Sequence, residues 1–426
     1  MLIMLYSHDS YGLGHIRRTL ELATQLSKKI PDASLVILTG SMQAHTYALP
    51  PRTEYIKLPT LTKNVAGDYR ARSLPHHIDT TMDLRQRIIF ESVSTLKPDI
   101  LLVDKSPAGI LGELLPTLQY CKTYLPQTKL VLGMRDIEDA PAQVHRDWGK
   151  SGTVSLLEST YDTIFLYGTS ALYDPIQEYN LSLGIKGKLV SCGYIGRNES
   201  VAQMTRIRQD LGLRSGRFVL VTPGGGDDGY SIVETYVRML RTRLKPGRPQ
   251  FDSLIVTGPL MCPEQRSLLK QAAGKDLALT VLDFTPHLYD YLRAADLVVG
   301  MSGYNTIVEI LSANQRAVVI PRIHPRLEQY IRAERFAKKG LLDMIHPESL
   351  TPDNLFETIT GSLQRPRPLR AQDLGIELDG AATVCTTIDR WRQRGMFERQ
   401  LPSATPLWKG DSAEARRAAH VSVVCE

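Results

Sequence analysis

Short apolar runs alternate with longer amphipathic stretches along most of the chain. This alternation is typical of parallel β-sheets whose strands are joined by helices. In the first half the pattern predicts strands at 2–7, 35–39, 55–58, 100–103, 130–133, 163–167 and 188–192, and helices at 16–27 and 80–96. After a turn-rich break at 193–198 the pattern restarts, with strands predicted at 218–222, 254–257, 278–282, 297–300, 318–321 and 342–345, and helices at 231–244, 263–273, 304–313, 327–338 and 352–363.

We therefore predict an α/β fold with two Rossmann-like parallel-sheet domains. The first domain is expected to span residues 1–195 and the second 196–370. A closing C-terminal helix is expected within 371–400. The remaining segment, 401–426, is rich in Ser, Ala and charge, and we predict that it is disordered.

Composition and charge narrow the setting in which the protein acts. The net charge of +6, from 51 Lys and Arg against 45 Asp and Glu, fits an anionic ligand or a membrane surface and does not require nucleic acid. Five cysteines without a C-x-x-C pair fit a reduced, cytoplasmic setting. No apolar run approaches the roughly 20 residues that a membrane span needs, so any membrane contact is expected to be peripheral.

The most informative segment, 295–311, predicts a buried strand, a tight polar turn and a helix that opens with small residues. Backbone N–H groups at a helix start lack intrahelical partners and carry the positive end of the peptide dipoles. The turn could therefore bind a diphosphate, with Glu309 one turn later accepting hydrogen bonds from a ribose diol. A capping box at Thr306 and Glu309, or a plain strand-to-helix turn, is the structural alternative. The turn residues that could cradle the diphosphate are Ser302, Gly303, Asn305 and Thr306.

A second turn of this type, Gly224-Gly225-Gly226, follows the first predicted strand of the second domain. Consecutive glycines allow a ligand to approach the backbone closely, although they also serve ordinary strand-to-helix turns. Because both turns are expected at the carboxyl edge of one sheet, the site of ligands in open α/β sheets, we predict that both contact the ligand.

The first domain opens with Gly12-Leu13-Gly14-His15 after its first strand. A dinucleotide site is unfavoured, since Arg17 occupies the place of the third glycine and the second strand ends in Thr39-Gly40 without an acidic residue. His15, at the mouth of the helix, could act as a base or grip a phosphate; a structural histidine is the alternative.

Two carboxylates, Asp104 and Asp136, follow predicted strands and could face the cleft as general bases. Their alternative role is a loop charge or helix cap. The sequence contains no P-loop or H-E-x-x-H motif, and 300–304 misses the nucleophile elbow by one place. His76-His77 lacks partner ligands at metal spacing, so no metal site is predicted.

Taken together, Gly14-His15, the triple glycine, the 302–306 turn with Glu309, and Glu328-Gln329 resemble GT-B glycosyltransferases. The resemblance is to family 28, which contains the lipid II-forming N-acetylglucosaminyltransferase, and to its predicted-glycosyltransferase relatives. It extends to about residue 394. It implies two domains facing across a cleft, with the nucleotide sugar, a UDP-sugar, in the second domain.

The resemblance also implies roles for individual residues. Glu309 would bind the ribose, and Gln329 and Glu328 the sugar hydroxyls. Phe284 would lie near the base, and His15 would face the acceptor or the transferred sugar. The nucleotide sugar is a substrate, and neither a cofactor nor a metal ion is implied. The family's longer all-glycine first turn is interrupted here by Leu13, so the resemblance names no particular acceptor.

The predicted function is therefore an inverting, metal-independent glycosyltransferase, with His15, Asp104 and Asp136 as candidate bases in that order. The alternatives are a nucleotide-sugar hydrolase or epimerase, and a non-catalytic nucleotide-sugar-binding protein. A long loop, 60–77, is expected to lack secondary structure and to act either as a basic lid for an anionic or lipid-linked acceptor or as a plain solvated loop. Residues expected on this acceptor side are Gly14, Arg17, Lys63, Arg70 and Arg72.

Overall fold

A computed structural model describes residues 1–8, 14–63, 68–72, 74, 77–197, 204–213, 216–226, 228–243, 250–273 and 277–397. The disorder expected for 401–426 lies outside the described residues.

The first domain is built on a seven-stranded parallel sheet in the order β3-β2-β1-β6-β7-β8-β9. All seven strands predicted for this half are present, with ends shifted by at most two residues. The strands are β1 (Leu2–Ser7), β2 (Ser34–Thr39), β3 (Thr53–Lys57), β6 (Ile100–Asp104), β7 (Lys129–Arg135), β8 (Thr163–Tyr167) and β9 (Leu189–Ser191). The helices are α1 (Gly14–Lys29), α2 (Ile78–Leu96), α3 (Leu115–Tyr124), α4 (Pro141–Ser151), α5 (Thr153–Ser159), α6 (Pro175–Glu178) and α7 (Leu183–Lys188).

The second domain has a six-stranded parallel sheet in the order β12-β11-β10-β13-β14-β15. Its strands are β10 (Phe218–Thr222), β11 (Asp252–Val256), β12 (Leu279–Leu282), β13 (Leu297–Gly300), β14 (Ala317–Val319) and β15 (Asp343–Met344). Its helices are α8 (Met204–Asp210), α9 (Tyr230–Arg243), α10 (Pro263–Ala272), α11 (Leu288–Ala294), α12 (Tyr304–Ser312), α13 (Glu328–Lys338) and α14 (Pro352–Gln364). Two such sheets confirm the predicted fold class.

Helices cover both faces of the first sheet, which explains why its strands are continuous apolar runs. Ile3 and Leu5 of β1 pack in the same buried cluster as Leu20 of α1. Tyr6, which points to the opposite face, packs in a different cluster with Ile89 of α2.

A last helix, α15 (Gly380–Gln393), follows the second domain and lies against the first. The ring of Trp391 stacks on Phe165 of β8 at 5.8 Å between centroids. A Cβ atom on Gly380 would lie 2.5 Å from the carbonyl oxygen of Gly193, so only glycine fits this approach. The segment in which the chain leaves the first domain, near Gly193, and the segment in which it returns, near Gly380, therefore pack against each other.

The segment predicted to be a loop without secondary structure contains an antiparallel hairpin, β4 (Leu61–Lys63) and β5 (Tyr69–Ala71), so that prediction is wrong. Leu61 is fully buried and holds the hairpin against the domain, while the ladder pairs backbone groups. Among the described residues, no helix combines the length and apolar character needed to cross a membrane.

Candidate functional site

A cavity of about 260 Å³ lies between the two domains, at the carboxyl edges of both sheets. Most of the residues selected from the sequence line it. From the first domain these are Gly14, His15 and Arg17, and from the second Gly224, Gly225, Gly226, Phe284, Gly303, Asn305, Thr306, Glu328 and Gln329.

His15 and Asp104 form a hydrogen-bonded pair at this edge. Asp104 ends β6, which pairs with β1, so its side chain lies beside the start of α1, where His15 is located. His15 Nδ1 lies 2.5 Å from Asp104 Oδ2, and Arg18 binds both carboxylate oxygens at 2.8 and 2.9 Å. Because Nδ1 is engaged, Nε2 is the ring nitrogen that can exchange a proton in the cavity.

Burial favours the neutral form of His15, whereas ion pairing favours the ionised form of Asp104. Burial lowers the pKa of His15 and Arg18 lowers it further, whereas Asp104 opposes them. Burial alone would raise the pKa of Asp104, but Arg18 and His15 outweigh it and hold that pKa well below its usual range. The arrangement suits a histidine base that is oriented by a buried carboxylate.

Asp136 does not face the cleft, which corrects the expectation from sequence. Its side chain is fully buried, accepts hydrogen bonds from the Tyr194 hydroxyl and the Ile137 N–H, and has a pKa raised by burial. Neighbouring residues along a strand point to opposite faces, so Arg135, the last residue of β7, lines the cavity instead. Arg135 is ion-paired with Glu138 at 3.2 Å.

The turn between β13 and α12 differs from the prediction in the placement of one residue. Ser302 is fully buried, and its hydroxyl donates to the carbonyl oxygen of Gln329 at 2.8 Å, so its side chain fixes α13 and does not line the cavity. Helix α12 begins at Tyr304 with Gly303 as its N-cap. Thr306 therefore lies inside the helix, which excludes the capping-box alternative.

The triple-glycine turn meets the 302–306 turn at Thr306. A Cβ atom on Gly224 or on Gly303 would lie 3.9 Å from the Thr306 hydroxyl oxygen. Gly226 has φ +96°, and a Cβ atom there would lie 2.2 Å from the carbonyl oxygen of Thr257. Gly226 is thus required by packing, whereas Gly224 and Gly303 leave space for a ligand.

Glu309, expected on a ribose, is 4% exposed and is bound by two arginines. Arg17 from α1 forms an ion pair with it, and Arg197 Nε lies 3.4 Å from the same Oε1 atom. Arg17 was expected to face the acceptor, yet in the structure its guanidinium reaches the second domain. One turn nearer the cavity, Asn305 Nδ2 donates to the carbonyl oxygen of Gly14 at 2.7 Å.

Two arginines, Arg322 and Arg332, line the cavity together with Glu328 and Gln329. Arg322 binds Asp228 at 3.0 Å and Glu328 at 2.6 Å, and its backbone N–H donates to Gln329 Oε1 at 3.3 Å. Arg332 is buried and donates to the carbonyl oxygens of Ser302 and Ile137, in opposite domains.

The cavity-lining arginines Arg135, Arg322 and Arg332 were not selected from the sequence as site residues. For Arg135 and Arg322 the signal was available, because each lies at the carboxyl end of a predicted strand. Buried Arg332 carried no such local signal.

Phe284, which follows β12, forms an apolar wall of the cavity with Pro286 and Leu288. Arg70 and Arg72 are exposed on the hairpin segment and are not among the described cavity-lining residues. Within the described ranges, no group of three or more His, Cys, Asp or Glu side chains is placed to hold a metal ion.

Comparison with known proteins finds similarity, over part of the chain, to the family that the motifs resemble. Residues 219–374 match the family described as Glycosyltransferase family 28 C-terminal domain. A UDP-N-acetylglucosamine–N-acetylmuramyl-(pentapeptide) pyrophosphoryl-undecaprenol N-acetylglucosamine transferase of Desulfitobacterium hafniense (strain Y51) is 30% identical over 44% of this chain and 51% of its own length. The chain thus spans about half the length of that relative. The protein of the same name from Alkaliphilus metalliredigens is 24% identical over 84% of this chain and 89% of its length.

Solved structures of glycosyltransferases share the fold at low identity. The calicheamicin glycosyltransferase CalG4 has a TM-score of 0.59 at 12% identity, over 94% of this chain and 99% of that one. MurG of Acinetobacter baumannii has a TM-score of 0.51 at 14% identity, over 91% of this chain and 99% of that one. The architecture is therefore GT-B, as the resemblance predicted.

Proposed function

We propose, on the premise that residues 219–374 of this chain form a glycosyltransferase family 28 C-terminal domain, that the protein transfers a sugar from a UDP-sugar to an acceptor hydroxyl. In this proposal the transfer inverts the anomeric centre and needs no metal ion. The observation that carries it is the His15–Asp104 pair, which opens into the cavity that the two glycine-bearing turns of the second domain also line.

The donor would lie along the second domain. The base would pack on the Phe284 wall, and the diphosphate would bind between Gly224 and Gly303 at the start of α12, where unpaired N–H groups favour anions. Glu309 would bind the ribose, and Gln329 with Glu328 would bind the sugar hydroxyls.

The reaction would begin when His15 Nε2 accepts the proton of the acceptor hydroxyl, while Asp104 stabilises the resulting imidazolium. The acceptor oxygen forms a bond to the anomeric carbon as the bond from that carbon to the diphosphate oxygen breaks. The electron pair of the broken bond leaves with the diphosphate. Helix N-termini and guanidinium groups would offset its negative charge, the task that a metal ion performs in other enzymes.

The acceptor is proposed to be anionic, a class that includes lipid-linked diphosphates. The names of the relatives specify an undecaprenyl pyrophosphoryl acceptor for those proteins. Support in this chain comes from the exposed Arg70 and Arg72 on the first domain, which suit an anionic acceptor or peripheral contact with an anionic membrane surface.

Calorimetry with UDP, in the presence and absence of a chelator, tests the donor half of the proposal. We expect binding that the chelator leaves unchanged; binding that disappears with chelator would contradict a metal-free site. Product analysis with a UDP-sugar then separates the alternatives, because sugar released without any acceptor indicates a hydrolase. Binding without turnover across a broad panel of acceptors would indicate a non-catalytic protein.

A further inference from the structure

The starts of α1 and α12 meet across the cleft through two contacts on successive helical turns. Gly14 accepts from Asn305, and three residues along α1 Arg17 pairs with Glu309, which is four residues along α12. This spacing matches one turn in each helix, so the two contacts lie on the same face of each helix, one turn apart. Both partners in the ion pair are largely buried, with side-chain exposures of 15% and 6%.

Resting on the proposed function, we propose that Arg17 is a donor-triggered catalytic residue, which exchanges Glu309 for the diphosphate when the ribose takes that carboxylate. The ribose diol and the Arg17 guanidinium both donate hydrogen bonds to carboxylate oxygens, so they would compete for Glu309. Arg17 already lines the cavity beside Gly303 and Thr306, so its displaced guanidinium lies next to the diphosphate turn.

The other arginines that line the cavity would not be released from their partners when the donor binds. Arg18 is held by Asp104 and Arg135 by Glu138. Arg322 keeps Asp228 even if Glu328 turns to the sugar, and Arg332 is bound to backbone carbonyls. Among the described cavity-lining arginines, Arg17 is the one that would lose its acidic partner and keep no other described one once the donor is bound, because Arg322 retains Asp228.

The exchange would couple donor binding to catalysis. Without a donor, the Arg17–Glu309 ion pair neutralises both charges. With a donor, the same guanidinium would stabilise the charge that develops on the leaving diphosphate. The acceptor reaction would then proceed only when the ribose is correctly seated.

Affinities of Arg17→Gln for uridine and UDP, measured by calorimetry, test the exchange. We expect the variant to bind uridine about tenfold more tightly than the unsubstituted protein, because the competing guanidinium is gone. We expect the ratio of UDP to uridine affinity to fall by about tenfold or more, because a charge-assisted contact to the diphosphate is lost. Arg17→Lys, which keeps the charge, should retain more of that ratio.

Arg197→Gln is the matched control, since Arg197 touches the same Glu309 oxygen but is not among the described cavity-lining residues. It should leave the ratio of UDP to uridine affinity unchanged. Weaker uridine binding by Arg17→Gln would show that Arg17 holds Glu309 in place for the ribose, and would overturn the exchange. An unchanged ratio in Arg17→Gln would overturn the diphosphate contact. If the unsubstituted protein binds neither ligand, the UDP-sugar proposal itself fails.

Discussion

The proposed role of His15 as a general base depends on the protonation state of its side chain at the working pH. A general base must be neutral to accept a proton, and burial with Arg18 nearby lowers the pKa of His15. Asp104 orients the ring through Nδ1 and partly opposes that lowering. Asp136, which the sequence also offered as a candidate base, cannot take this role because it is buried and hydrogen-bonded to the Tyr194 hydroxyl.

Replacing His15 with Ala should lower kcat by about 10²- to 10⁴-fold and leave the Kd for UDP nearly unchanged, as expected for loss of a general base. In the unsubstituted protein, activity should be lost as pH falls through the lowered pKa of His15. The acid limb of kcat/KM, which reports the free enzyme, should therefore lie below the ordinary histidine pKa of about 6.5. Asp104→Asn should move that limb to still lower pH, because the carboxylate that raises the pKa is removed.

The control for this series is His346→Ala, a change outside the described cavity lining, which should leave the pH profile unaltered. A His15→Ala variant that retains full kcat would remove His15 from the reaction. Thermal melting of each variant separates these effects from a loss of folding.

The turns that follow β10 and β13 contain Gly226 and Gly303, and the lack of a side chain has a different consequence at each position. At Gly226 the backbone conformation and the nearby Thr257 carbonyl exclude a side chain. At Gly303, φ is −58°, a value that alanine adopts easily, and the nearest atom to a Cβ would be 3.9 Å away. Of these two glycines, only Gly303 leaves space that a ligand could occupy.

Gly303→Ala should raise the Kd for UDP by about tenfold, a loss of about 1.4 kcal/mol of binding free energy, with little change in melting temperature. Gly226→Ala should instead lower the free energy of unfolding by about 1–3 kcal/mol, because it forces a residue with a side chain into a strained conformation. Calorimetry and thermal melting on both variants make the comparison. Unchanged UDP affinity in Gly303→Ala would exclude the α12 turn from the diphosphate site.

Across the whole molecule, the two domains are held in contact beyond the cavity. Asp139 of the first domain accepts a hydrogen bond from the Leu327 N–H, at the start of α13, at 2.8 Å. The guanidinium groups of Arg18, from the first domain, and Arg332, from the second, lie 5.1 and 5.8 Å from the centroid of the Tyr304 ring. These contacts fix His15 of the first domain relative to the glycine-bearing turns of the second.

The exposed charges of the hairpin act over distances on this larger scale. Replacing Arg70 and Arg72 together with Gln should raise the KM for an anionic acceptor and flatten its dependence on salt, while the Kd for UDP stays unchanged. The reason is that exposed charges attract a distant anion and are screened by salt. Acceptor kinetics measured from low to high ionic strength provide the test.

A double variant of Arg206 and Arg243, both exposed on the second domain, removes the same charge and is the matched control. It should leave the salt dependence unchanged. Equal effects from both double variants would assign the salt dependence to net charge alone and exclude a role for the hairpin.

Local chemistry was sufficient to predict the two parallel sheets, the glycine turns and the placement of His15, because strand period and turn composition are properties of neighbouring residues. The pairing of His15 with Asp104, 89 residues apart, and of Arg17 with Glu309, 292 residues apart, came only with the tertiary structure. So did the inward direction of Asp136 and the fixed hydroxyl of Ser302. A buried charge or hydroxyl needs a partner, and that partner is supplied by whichever remote segment the packing brings beside it.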